Sequence, residues 1–147
     1  PLVGLDWTQS SVGIMETLAS GHGRKIQGRR FDMMNPDPSL SLPPNSAIIT
    51  IHALEQIGTQ HERLIQFLLA ARPRLVLHLE PILEFYDDTN LFDYLALSYS
   101  RKRNYLSGFA TALKKLEEEE AIEILEWHRP GIGGVIHEAS IIAWRPR

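Results

Sequence analysis

The chain contains no cysteine, which excludes disulfides, thiolate metal ligands and a cysteine nucleophile. We expect a cytoplasmic protein, because proteins of that compartment rarely carry disulfides. No apolar stretch approaches the roughly 20 residues that a membrane-spanning helix requires. The formal net charge is only −3, so the composition gives no electrostatic reason for binding nucleic acid. We therefore expect neither a membrane nor a nucleic acid among the partners.

Several enzyme motifs are absent as well. The sequence has no phosphate-binding P-loop, no Gly-x-Ser-x-Gly elbow and no His-Glu-x-x-His zinc motif. Its two glycine-rich stretches, residues 21–23 and 131–134, lack the strand–loop–helix context of a dinucleotide-binding loop. His128 and His137 flank the second stretch, but no acid is fixed beside them, so we expect no metal site.

What is present is an alternation of short apolar runs and helical patterns. With 147 residues and 44% hydrophobic content, the chain is long enough for one domain with a real core. The alternation predicts βα units and a mainly parallel sheet. Strands are predicted at residues 1–6, 25–30, 47–51 and 74–79. Two further strands, residues 121–127 and 139–144, are joined by a connection too short for a crossover helix and should pair antiparallel.

The clearest helical pattern in the sequence lies between the third and fourth predicted strands. Thr59 and Glu62 have the spacing of a capping box, and an apolar stripe follows as far as Arg72. Residues 82–104 are irregular and aromatic, which indicates a helical excursion, and a long amphipathic helix follows from Tyr105.

This order of elements resembles the class I S-adenosylmethionine-dependent methyltransferases, entered at their second strand. Four segments carry the resemblance: Val3–Asp6, Phe31-Asp32, His52–Ile57 and Ile141–Pro146. It implies an α/β fold with a three-layer, Rossmann-like sheet, mostly parallel with an antiparallel C-terminal strand pair, over residues 1–147 as a single catalytic domain. The family's first strand and glycine-rich loop have no counterpart here, so we expect the N-terminal part of that domain to be missing.

The resemblance implies S-adenosylmethionine as the cofactor. Asp6 would accept hydrogen bonds from the ribose hydroxyls, with Trp7 against the adenine or ribose. Phe31, Asp32 and Met33 would contact the adenine. The competing interpretations are a helix N-cap or turn aspartate for Asp6 and a local Asx turn for Asp32.

Other polar residues should lie at the carboxyl ends of the later strands, where open α/β sheets bind ligands. His52 is the candidate base or acceptor-orienting group beside the cofactor, and Glu80 is a second catalytic candidate. We expect His78, two residues before Glu80, to point to the opposite face. The residues proposed to bind a small-molecule or peptide-like methyl acceptor are Glu55, Tyr86, Tyr99 and Arg103.

Two other function classes stay open. A nicotinamide-dependent oxidoreductase would also use an acid after the second strand, although Tyr99 is followed by Arg103 where the Tyr-x-x-x-Lys pair would have lysine. A non-catalytic module would keep the fold and use residues 82–104 as a partner surface. A homodimer is compatible with each of these alternatives.

Overall fold

The computed structural model describes residues 2–23, 25–134 and 136–147. The chain divides into two compact units, Pro1–Leu40 and Ser41–Arg147. The first unit contains β1 (Leu2–Asp6), α1 (Gln9–His22) and β2 (Ile26–Arg30). The second contains β3 (Ala47–Ile51), α2 (Glu62–Ala71), β4 (Leu75–Glu80), α3 (Leu91–Arg103), α4 (Phe109–Glu118), β5 (Ile122–Gly133) and β6 (Glu138–Pro146). Two short 3-10 turns, Glu55–Ile57 and Leu83–Phe85, also belong to the second unit.

The first unit is one βαβ step. Its strands are parallel, with Asp6 opposite Arg30, and α1 is the crossover between them. Helix α1 lies so close to β2 that a Cβ at Gly28 would come within 2.9 Å of the Val12 Cα atom. Glycine at this position therefore permits the close contact between helix and strand.

The second unit contains a four-stranded sheet in the order β3-β4-β6-β5. The pair β3-β4 is parallel because α2 crosses over between the strands. Strand β6 is antiparallel to both β4 and β5. The predicted antiparallel C-terminal pair is thus confirmed, and β6 lies between the two strands that precede it in the chain.

The expected three-layer, mostly parallel sheet is wrong. The described residues form two separate sheets, one of two parallel strands and one of four. In the larger sheet only β3-β4 is parallel, while the other two pairings are antiparallel. The reason is that β1 and β2 pair only with each other among the described residues, so the four predicted parallel strands do not share one sheet, while β6 adds antiparallel pairs to both β4 and β5.

The helices of the second unit follow the predicted pattern except at two starts, one of which is that α4 begins at Phe109 and not at Tyr105. Helix α2 begins at Glu62 with His61 as its N-cap and no side-chain cap bond, so the capping box of Thr59 and Glu62 does not form. Helix α3 is the predicted helical excursion, and its N-cap Asn90 accepts from two backbone N–H groups. The largest fully buried apolar side chains include Leu54, Leu68, Val76, Phe109, Leu113, Ile122, Ile142 and Trp144. None of the helices within the described ranges is long and apolar enough to cross a membrane.

Candidate functional site

In the first unit, Asp6 lies at the carboxyl end of β1. Its Oδ1 atom accepts from the Thr8 backbone N–H at 2.7 Å and from the Thr8 hydroxyl at 2.8 Å. These bonds from Thr8 lower the pKa of the Asp6 carboxyl below its ordinary value. The Ser11 side chain adds a further hydrogen bond to this carboxylate, with the smallest effect on its pKa. The adjacent indole of Trp7 is 67% exposed.

The residues after β2 lie beside the end of β1. The Phe31 backbone N–H donates to the Asp6 carbonyl at 2.8 Å, and the Phe31 side chain is buried. Asp32 accepts the Met34 backbone N–H on Oδ1 at 2.9 Å, which is the local Asx turn of the competing interpretation. Met33 is half-buried. The structure therefore brings the predicted cofactor residues of this unit to one end of its sheet.

In the second unit, Glu80 holds the loop that follows β3. Its carboxylate accepts the backbone N–H groups of Ala53 and Leu54, both at 3.1 Å, and is fully buried. Burial raises the pKa of Glu80, and the two N–H donors and the Thr50 hydroxyl oppose that rise. Glu80 is therefore a positioning residue for the loop, while its direct catalytic role stays a prediction.

A buried polar chain leads from Glu80 to the last strand. The Trp144 indole N–H donates to His78 Nε2 at 3.0 Å, and His78 Nδ1 lies 2.9 Å from the Thr50 hydroxyl oxygen. Because an indole only donates, Nε2 is the acceptor and the proton of the neutral ring is on Nδ1. Burial lowers the pKa of His78 to about 3. The expectation that His78 and Glu80 face opposite ways is wrong, because residues two apart on a strand share a face and both are buried.

Two histidines flank a buried carboxylate at the carboxyl end of β3. The Oε2 atom of Glu55 lies 3.6 Å from His52 Nδ1 and 3.5 Å from His137 Nδ1. This oxygen is inaccessible to solvent and has no hydrogen-bond partner. His52 itself has a left-handed backbone, with φ of 47°. An unsatisfied buried acceptor is costly, so a small movement that brings an Nδ1–H of His52 or His137 within hydrogen-bond distance of this oxygen would stabilise the loop.

Aromatic rings extend this cluster toward the end of α3. The ring of His137 lies 5.6 Å from that of Tyr99 and 5.9 Å from that of Tyr105, measured between centroids. Arg103 donates from Nε to the Tyr99 hydroxyl at 3.3 Å, and this bond lowers the pKa of Tyr99. We call these residues the Glu55 cluster: His52, Glu55, Tyr99, Arg103, Tyr105 and His137.

Tyr86, the remaining predicted acceptor residue, belongs to a different network. The Arg129 guanidinium lies over its ring at 4.2 Å, and the Tyr86 hydroxyl donates to the Glu138 carbonyl at 3.3 Å. Arg129 also binds both oxygens of Asp93, at 2.6 and 2.7 Å, and Glu138 at 2.6 Å. The hydrogen bonds from Arg129 lower the pKa of Asp93. This network joins α3 to the β5–β6 pair, which gives Tyr86 a structural role in addition to the predicted one.

Sequence reasoning missed two members of the Glu55 cluster. His137 was considered only with His128, across the β5–β6 connection, whereas His128 lies 3.5 Å from Glu126 and His137 reaches Glu55. Tyr105 was treated as the first residue of a helix, but α4 begins at Phe109. No local pattern marked either residue, because His137 reaches Glu55 from a distant part of the chain and Tyr105 joins the cluster through the ring of His137. The described residues contain no group of three or more ligands that could hold a metal ion.

Comparison with models of protein families gave no match, and comparison with curated proteins gave none either.

Proposed function

We propose that the protein is an S-adenosylmethionine-dependent methyltransferase and that Asp6 binds the ribose of the cofactor. The observation that carries this proposal is the Asp6 carboxylate at the end of a parallel strand, with the exposed indole of Trp7 beside it. A carboxylate in this position is suited to accept from ribose hydroxyls. Of the two apolar side chains proposed to contact the adenine, Met33 is half-buried and keeps accessible surface, whereas Phe31 is buried.

The Glu55 cluster, within the second unit, is proposed as the site of acid–base chemistry on a ligand that presents a hydroxyl or amine. When bound, S-adenosylmethionine supplies an electrophilic methyl group, and an acceptor of that group has to be oriented and has to lose its proton. His52 presents Nδ1 to Glu55, which leaves Nε2 to take a proton from a hydroxyl or amine. Glu55 then stabilises the imidazolium that forms. The rings of Tyr99, Tyr105 and His137 provide a wall for a small-molecule or peptide-like acceptor.

Replacing Asp6 with asparagine tests the cofactor assignment. Asparagine keeps a carbonyl oxygen for the bonds from Thr8 but removes the charge, so binding of S-adenosylmethionine should weaken by about 1–3 kcal/mol in isothermal titration calorimetry. The matched control is Asp37→Asn, because Asp37 also accepts a backbone N–H, from Ser39, at 2.8 Å. An unchanged affinity in Asp6→Asn would contradict the ribose assignment. Absence of binding by the folded parent protein would overturn the cofactor itself.

Replacing His52 with asparagine tests the proposed base. Asparagine tolerates the left-handed backbone found here, so the change removes the imidazole with little added strain. Formation of S-adenosylhomocysteine with a responsive acceptor should slow by about 100-fold or more, with unchanged cofactor affinity. His128→Asn is the control at an exposed histidine and should keep the parent rate. If His52→Asn lowers thermal stability and rate together, the histidine is structural.

A second candidate function is nicotinamide-dependent oxidation or reduction. It is favoured by the lowered pKa of Tyr99, which results from the hydrogen bond donated by Arg103 four residues later on the same helix. A tyrosine beside a cation can act as a proton donor or acceptor to a carbonyl or alcohol. Titration with a reduced and an oxidised nicotinamide cofactor, alongside S-adenosylmethionine, separates the two candidates.

A further inference from the structure

The second unit contains a groove beside the end of α3. Its volume is about 510 Å³, which is typical of a site for a small molecule. The last two turns of α3 line it together with Thr59 from the turn before α2, Glu84 from a 3-10 turn, and Ser107 and Thr111 around the start of α4. The groove is thus built by several segments of the chain and not by one helix alone.

The groove carries one charge of each sign. The guanidinium of Arg101 and the carboxylate of Glu84 both line it, and both side chains are exposed. Neither side chain makes a hydrogen bond or an ion pair with another described residue, so the two charges do not neutralise each other. Each charge can therefore pair with a group of opposite sign on a ligand.

The rest of the lining suits a molecule that is partly apolar. Leu83 is half-buried and Leu97 is buried, and together they give the groove apolar surface. The hydroxyls of Thr59, Ser107 and Thr111 can each donate or accept a hydrogen bond. Small-molecule sites commonly combine apolar surface with a few polar groups that orient the ligand.

We propose that this groove binds a free α-amino acid with an apolar side chain, its carboxylate on Arg101 and its ammonium on Glu84. A guanidinium binds a carboxylate through two parallel N–H donors, and a carboxylate accepts readily from an ammonium. The apolar side chain of the ligand contacts Leu83 and Leu97. A ligand with a single charge would leave the opposite charge of the groove unpaired, so the zwitterion is favoured over a simple anion or cation.

Tyr105 places the groove next to the Glu55 cluster, because it lines the groove and its ring lies 5.9 Å from that of His137. Backbone hydrogen bonds join the two loops at this point, since the Leu106 N–H donates to the Glu55 carbonyl at 2.9 Å. An amino acid in the groove therefore lies beside the proposed acid–base site and brings an amine with it. This connection to the cluster rests on the proposed function, whereas the binding itself does not.

Titration of the isotope-labelled full chain with L-leucine, followed by amide NMR spectroscopy, tests the binding. The dissociation constant should be about 1 mM or lower, and the backbone signals of Asn104, Ser107 and Thr111 should shift. Two analogues each lack one charge: isocaproate has no ammonium and isoamylamine has no carboxylate. Both should bind at least about 10-fold more weakly than L-leucine. Absence of shifts at about 50 mM L-leucine, or equal binding of the three compounds, overturns the proposal.

Variants that remove one charge test the two ends of the groove. Arg101→Gln and Glu84→Gln should each weaken the binding of L-leucine at least about 10-fold. Lys102→Gln is the matched control, because Lys102 is an exposed cation on the same helix that does not line the groove. Equal weakening by Lys102→Gln and Arg101→Gln, or tighter binding in Glu84→Gln, contradicts the zwitterion assignment.

These titrations contain no S-adenosylmethionine, so they are independent of the proposed function. A folded chain that binds L-leucine but not S-adenosylmethionine keeps the groove assignment and loses the methyltransferase assignment. A chain that binds S-adenosylmethionine but not L-leucine keeps the methyltransferase assignment and loses the groove assignment.

Discussion

Replacing Asp93 with alanine should lower the free energy of unfolding by about 3 kcal/mol, because it leaves a largely buried guanidinium without its bidentate partner. The side chains of Arg129 and Asp93 are only 22% and 10% exposed, so water replaces the lost carboxylate poorly. The change also removes the acceptor for the Asp87 backbone N–H, which donates to Asp93 Oδ2 at 2.9 Å. Urea denaturation of the parent protein and the variant measures the loss.

The matched control for this prediction is Glu123→Ala. Glu123 also forms a close ion pair, with Arg145 at 2.7 Å, but the two side chains are 37% and 53% exposed. Its loss should cost less than about 1 kcal/mol. Equal losses in the two variants would contradict the view that burial makes the Arg129–Asp93 pair important. Arg129→Met should be at least as damaging as Asp93→Ala, because it leaves the largely buried carboxylates of Asp93 and Glu138 without the cation that both bind.

Stability should decrease as the pH falls below 6.5, because His78 is buried in its neutral form. The folded protein binds a proton at His78 only near pH 3, whereas the ordinary pKa is 6.5. Between these values the unfolded chain binds more protons, so acid favours unfolding. The contribution of His78 is therefore complete above pH 6.5 and falls by about 1.4 kcal/mol per pH unit toward pH 3.

The variant His78→Gln isolates this effect. Other groups also titrate in acid. The pKa of Glu80 is raised in the folded protein, so Glu80 contributes stability that is present at low pH and lost as the pH rises. The useful quantity is the difference in unfolding free energy between the parent protein and His78→Gln at each pH. This difference should be largest above pH 6.5 and shrink below it. A difference that stays constant with pH would contradict the assignment of a buried neutral histidine, and His128→Gln, at an exposed ring, provides the control.

Local sequence patterns predicted the helices and strands better than they predicted how the strands pair into sheets. The apolar stripe of α2 and the short link between the last two strands are features of adjacent residues, and both were confirmed. The division into two sheets depends on which strands pair over long distances in the chain, and no local pattern states this. The start of α2 was wrong for a related reason: the side chain of His61 bonds to the Ser107 carbonyl at 3.0 Å, a distant partner.

The candidate site shows the same division between local and long-range information. His52 and Glu55 lie three residues apart in a loop after a strand, so the sequence could indicate both. His137 reaches Glu55 from the far end of the second unit's sequence, through a β5–β6 pair whose register shifts between His128 and Ile132. Such a shift changes which side chains meet, and it cannot be read from the residue spacing.

Trp7 is the tryptophan of the first unit, and Trp127 and Trp144 belong to the second, so Trp127→Phe leaves one optical reporter in each unit. Trp144 is fully buried with its N–H bonded to His78, so its emission should be blue-shifted and protected from iodide, and its indole proton should exchange slowly with deuterium. Trp7 is 67% exposed next to Asp6, so its emission should be quenched readily. A ligand that binds beside Asp6 should shield Trp7 from the quencher and leave the emission of Trp144 unchanged. Binding can then be followed without any label.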